Sequence, residues 1–68
     1  MNYIVETELE TDGRWIAEVV NLLGEIAYGK TKAKALAKTQ ALALRVEADM
    51  LDNGERSLFD SSIFFNAA

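Results

Sequence analysis

The chain has no cysteine and no histidine among its 68 residues. Those absences exclude a disulfide scaffold, a Cys/His zinc site, a cysteine nucleophile and a histidine general base. Long apolar runs are also missing: charges interrupt the hydrophobic residues every few positions, so nothing approaches the roughly 20 apolar residues that span a bilayer. No basic segment leads into an apolar stretch at the N-terminus, as a secretory signal would require. A soluble, cytoplasmic chain is expected. Its length suits one domain covering residues 1–68, which removes roughly 60% of its extended-chain surface from water on folding. Such a core is thin, so further stability must come from packing or from association.

Positive charge is scarce too, with seven Lys and Arg against eleven Asp and Glu and a net charge of −4. Its placement is uneven. Residues 1–29 hold six acids against Arg14, a net of −5; residues 30–45 hold five cations and no acid, +5; residues 46–68 hold five acids against Arg56, −4. An acidic chain is a poor general binder of nucleic acid, whose affinity comes largely from neutralising phosphates. It is better matched to a basic protein.

What is present is clear local patterning. From Tyr3 to Glu10 the residues alternate, with Tyr3, Val5, Thr7 and Leu9 on one side and Ile4, Glu6, Glu8 and Glu10 on the other. A period of two marks a half-exposed strand. Thr11-Asp12-Gly13 then supplies a turn, because Asp and Gly tolerate the positive φ of tight hairpins. Arg14 to Val20 resumes the alternation, with Trp15, Ala17 and Val19 opposite Arg14, Ile16, Glu18 and Val20. The pattern predicts a hairpin. After Asn21-Leu22-Leu23-Gly24, the short run Glu25 to Gly29 predicts a third strand, antiparallel to the second. Trp15 and Tyr28 are expected in the core.

Thr31 is well placed to cap a helix, and Lys32 to Asn53 contains neither Gly nor Pro. Asn53-Gly54 is a fitting end. The predicted helix is roughly 33 Å long. Its core stripe is expected to be Ala35, Leu36, Thr39, Leu42, Ala43, Val46 and Met50. A second stripe of Ala37, Ala41, Leu44, Ala48 and Leu51 lies opposite, with Gln40 and Glu47 on one flank between them. Ser57 to Asn66 ends in the β-prone Ile63-Phe64-Phe65, expected as a fourth strand at a sheet edge. The fold class that results is α+β: a three-stranded antiparallel sheet, a long helix on one face and a fourth strand, in the order βββαβ, or βββα with an irregular tail.

Little here points to catalysis. Glu6, Glu8 and Glu10 share a strand face, but acids at i and i+2 lie about 7 Å apart and no other element clearly offers a carboxylate to share a metal. Alternate acids on an exposed face are an ordinary means of solubility. Ser57, Ser61 and Ser62 have no histidine partner. The glycines stand singly, so no phosphate-cradling loop is present. No catalytic residue, metal ligand or cofactor is expected. Lys30, Lys32, Lys34 and Lys38 oppose the dipole at the helix start and are candidate anion-binding residues. Leu44, Leu51, Ile63, Phe64 and Phe65 are candidate contacts for a homo-oligomer, dimer or higher.

Several of these runs occur together in one family. Tyr3 to Glu6, then Asp12-Gly13-Arg14-Trp15-Ile16-Ala17-Glu18-Val19, Leu23-Gly24, Ala27-Tyr28-Gly29-Lys30-Thr31 and a helix ending near Asn53-Gly54-Glu55 resemble the HicB-like antitoxins of type II toxin-antitoxin systems. The resemblance covers residues 3 to about 55. It implies a partial RNase H-like βββαβ domain that binds and blocks a small basic HicA-type toxin, an mRNA-cleaving ribonuclease. Family members commonly oligomerise, and many add a DNA-binding segment, for which no separate stretch is expected here. The family usually places acids after the capping threonine, where this chain has Lys32 and Lys34. Two main roles follow as expectations: a non-enzymatic antitoxin-like protein engaging a basic partner through Glu6, Glu8, Glu10 and Glu18, or a nucleic-acid-binding module using the lysines at the helix start. A small carboxylate-metal hydrolase ranks behind both.

Overall fold

In a computed structural model, residues 2–22, 25–54 and 63–67 are described. They form β1 (Asn2–Leu9), β2 (Trp15–Val19), β3 (Ile26–Gly29), α1 (Lys32–Asp52) and β4 (Phe64–Ala67). The sheet order is β3-β2-β1-β4, with one helix packed on one face. β1 with β2 and β2 with β3 are antiparallel, whereas β4 runs parallel to β1. The reason is topological. A single helix returns the chain to the end of the sheet where β3 began, so β4 runs in the direction of β3 and therefore of β1. The predicted turn at Leu23-Gly24 and the predicted start of the fourth strand, Ser57 to Ser62, lie outside the described residues.

The first hairpin closes as its residues require. Glu10 N donates to Arg14 O at 2.7 Å and Gly13 N to Glu10 O at 3.0 Å. Gly13 has φ +90°, a conformation that side chains other than glycine strain to adopt. Where β2 ends, the Asn21 side chain continues the ladder, accepting from Ile4 N at 3.0 Å and donating to Asn2 O at 2.8 Å. The helix starts on Thr31, whose Oγ1 accepts from Lys34 N at 3.1 Å.

The inner sheet face carries Tyr3, Val5, Ala17, Val19 and Ala27, and the helix answers with Ala35, Thr39, Ala43 and Glu47. Among the described residues, four of the seven buried hydrophobic ones are alanines. Small contacts let the helix sit close over β2 and β3. At Gly29 the approach is so close that an added Cβ would lie 2.6 Å from Ala35 N. Thr39 reinforces it by donating from its hydroxyl to Ala17 O at 2.9 Å. The helix then passes toward β1 at its other end, where the Tyr3 hydroxyl donates to Glu47. Phe65 of β4 stacks on Tyr3 with ring centroids 5.5 Å apart.

This diagonal course corrects three expectations. Glu47, expected on a flank, is 1% exposed, while Leu42, Val46 and Met50 of the expected core stripe are only half-buried. The helix is turned so that its most buried line follows Ala35, Thr39, Ala43 and Glu47, spaced by four. Leu9 shares the parity of the core but is 55% exposed. It aligns with Trp15 and so with Gly29, at the end where the helix lies over β3 and leaves β1 uncovered. Tyr28, expected in the core, points the other way and is 43% exposed. The inward positions of β3 are taken by Ala27 and Gly29, because only small residues fit under the helix start.

Candidate functional site

With α1 on one side, the opposite face of the sheet is left open among the described residues. Strand pleating sends Ile4, Glu6 and Glu8 of β1, Ile16 and Glu18 of β2, and Ile26 and Tyr28 of β3 to that face. Two acids meet there. Glu6 and Glu18 are direct partners across the antiparallel pair, and Glu8 follows Glu6 on the same strand. Like charges placed opposite each other in a sheet are destabilising, by roughly 0.2 to 1 kcal/mol. A positively charged surface laid over them removes that cost. The acids line a shallow groove of about 110 Å³ made by Glu6, Thr7, Glu8, Ile16 and Glu18.

Apolar surface flanks the acids. Ile4 is 43% exposed and Ile26 42%. The Arg14 guanidinium lies over the Tyr28 ring, 4.6 Å from its centroid, which closes off the hairpin end of the face. Arg14 is itself held by Asp12, whose Oδ2 accepts from Arg14 Nε at 2.8 Å and whose Oδ1 accepts from the Arg14 amide at 3.2 Å. That amide bond, followed by the attraction of the guanidinium, holds the Asp12 carboxyl below its ordinary value.

The structure brings Glu6, Glu8 and Glu18 together but separates Glu10 from them. Glu10 follows the end of β1, and its backbone closes the hairpin turn. Lys30, Lys32, Lys34 and Lys38 are all exposed and cluster around the helix start, away from the acidic groove. The candidate oligomer residues divide. Leu44 is 48% exposed on the outer side of α1, Leu51 is 38% exposed near the end of the helix, and Phe64 is 56% exposed, but Ile63 and Phe65 pack against the core. Alternation along β4 is the cause, since Phe65 must face Tyr3 and Phe64 is thereby turned outward.

An acid-only view of this face omits Ile4, Ile16, Ile26 and Tyr28. The signal for the first two lay in the alternation, because they share parity with the glutamates. For Ile26 and Tyr28 no such signal existed, since only the register with β2 sets which side of β3 faces the helix. Among the described residues no group of three or more acids is placed to hold a metal ion, and no helix is long and apolar enough to cross a membrane.

Fold and face together define a small α+β domain with a helix-covered inner surface and an open outer surface that is acidic and apolar. Comparison with protein-family models, with curated proteins and with solved structures finds no match in any of the three.

Proposed function

We propose that the chain is a non-catalytic, antitoxin-like interaction protein of the cytoplasm, or an orphan relative of one, that binds and neutralises a small basic HicA-type toxin. The reading rests on the residues that resemble HicB-like antitoxins. One observation supports it above the rest: Glu6 and Glu18 are opposed, beside Glu8 and between exposed isoleucines, on a face that none of the described elements covers. A sheet keeps such a pair at a cost, and a cationic partner turns that cost into affinity. Self-association belongs to the same proposal, since the core is thin and Leu44, Leu51 and Phe64 remain exposed.

The test is to look for a small basic protein encoded beside this chain and to express it with and without the chain. Growth arrest that this chain relieves, and co-purification lost on Glu6→Lys/Glu8→Lys/Glu18→Lys, would support the proposal. Normal growth with the neighbour alone would sink it. The four exposed lysines at the helix start support a second reading, a nucleic-acid-binding module. That reading requires RNA or DNA binding that falls steeply with salt, and the absence of binding at low salt removes it.

A further inference from the structure

The outer side of α1 carries the complement of the open sheet face. Lys34, Lys38 and Arg45 are exposed along one line of the helix, beside exposed Leu44 and Ala48. Asp49 and Asp52 confine the positive line to the earlier part of the helix. The sheet shows Glu6, Glu8 and Glu18 among exposed isoleucines. The spacings correspond: Lys34 and Lys38 rise about 6 Å along the helix, and Glu6 and Glu8 are separated by about 7 Å along the strand. The earlier part of the helix and the sheet face each set charge of one sign beside hydrocarbon.

Two copies have three ways to join these surfaces. Sheet against sheet sets Glu6, Glu8 and Glu18 against themselves. Antiparallel helices set Lys34 and Lys38 against Asp49 and Asp52, but leave the opposed Glu6 and Glu18 unanswered. Only helix against sheet brings cations to those acids. We infer that the chain self-associates head to tail, the outer side of α1 of one copy lying on the open sheet face of the next. The occupant is a second copy because the chain itself supplies the matching helix, and because the other face of this sheet already receives a helix. A core in which four of the seven buried hydrophobic residues described are alanines leaves apolar area for such a contact to bury.

The contact is heterologous, so each copy retains one free sheet face and one free helix until a ring closes. Self-association therefore does not stop at a two-fold dimer. It also occupies the acids that the proposed function assigns to a basic partner. Resting on that reading, a further consequence follows: the partner and the second copy compete, and partner binding disperses the assembly.

Light scattering and sedimentation of the full chain test the inference. The expected result is a weight-average mass that at least doubles (about twofold or more) with concentration at about 10 mM salt and returns to the monomer at about 1 M, as the Debye length falls from about 30 Å to about 3 Å. Lys34→Glu/Lys38→Glu/Arg45→Glu and Glu6→Lys/Glu8→Lys/Glu18→Lys should each be monomeric alone. An equimolar mixture of the two should associate again, because each then offers the other an unlike face. A wild-type monomer at millimolar concentration, a dimer indifferent to salt and to both variants, or a mixture that stays monomeric would each overturn it. The salt series on the unaltered chain decides even where a variant fails to fold. The helix-reversed variant keeps the sheet face, so its capture of the basic neighbour reports on the proposed function separately from assembly.

Discussion

The Tyr3 hydroxyl donates a hydrogen bond to the carboxyl group of Glu47, 44 positions later in the chain and 1% exposed. It ties the start of β1 to the later part of the helix, where α1 has left β3 behind. Tyr3→Phe keeps the ring that stacks on Phe65 and removes only the donor. Loss of a donor to a buried carboxyl group should cost about 1 to 3 kcal/mol. Urea denaturation of the two proteins side by side measures it.

Gly29→Ala should be among the most damaging small changes. Its Cβ would lie 2.6 Å from Ala35 N and 3.0 Å from Lys34 C, both backbone atoms that cannot rotate away. Pushing the helix off β3 should cost about 1 to 3 kcal/mol, as overpacking does. Gly13→Ala tests a different cause, since nothing lies within 4 Å of its added Cβ and only the φ of +90° opposes it. Comparing the two by thermal unfolding separates crowding from backbone strain.

Thr31→Ala removes the acceptor for Lys34 N and should cost about 0.5 to 2 kcal/mol. Lys34→Glu should act oppositely. It replaces a cation in the first helical turn by an acid, which the dipole favours by about 0.3 to 1 kcal/mol, and it completes a capping box with Thr31. A more stable chain that assembles less readily is the expected combination.

Asp12 sets an acid dependence. Its carboxyl is held below the ordinary value of 3.8 in the folded chain, chiefly by the Arg14 amide. The stability this contributes is present above the unfolded value and lost as pH falls through the folded one. Asp12→Asn should therefore reduce the urea midpoint at neutral pH and flatten the loss of stability in strong acid. Parallel acid slopes in the two proteins would contradict the assignment.

Glu18→Lys should raise stability while it weakens binding. The change turns a like-charged pair with Glu6 into an unlike one, a gain of roughly 0.2 to 1 kcal/mol. Under the proposed function it also places a cation where a basic partner must land. Opposite signs in unfolding and in partner capture distinguish a binding face from a merely solvated one.

Much of this fold was readable from local chemistry. The Asp12-Gly13 turn, the Thr31 cap and the Asn53 end each depend on a few neighbouring residues, and alternation sorted β1 and β2 into their two faces. The glutamates of the candidate face came with that sorting. Glu47 did not, because a charged residue in a helix gives no local sign that a hydroxyl from β1 will meet it. Tyr28 did not either: in a four-residue strand, an aromatic and an alanine offer no pattern strong enough to say which is covered.

By itself, then, the sequence determined the kinds of elements and their ends, since capping, turn geometry and helix propensity act over a few bonds. It also determined that acids and isoleucines share one side of the hairpin. Tertiary structure decided which side the helix covers, how far it slants, and that β4 lies parallel beside β1. Those choices depend on contacts between residues distant in the chain, above all the close seat of Ala35 on Gly29 and the bond from Tyr3 to Glu47. The open acidic face follows from that seating, because a helix drawn down onto Ala17, Ala27 and Gly29 leaves Glu6, Glu8 and Glu18 on the side it does not reach.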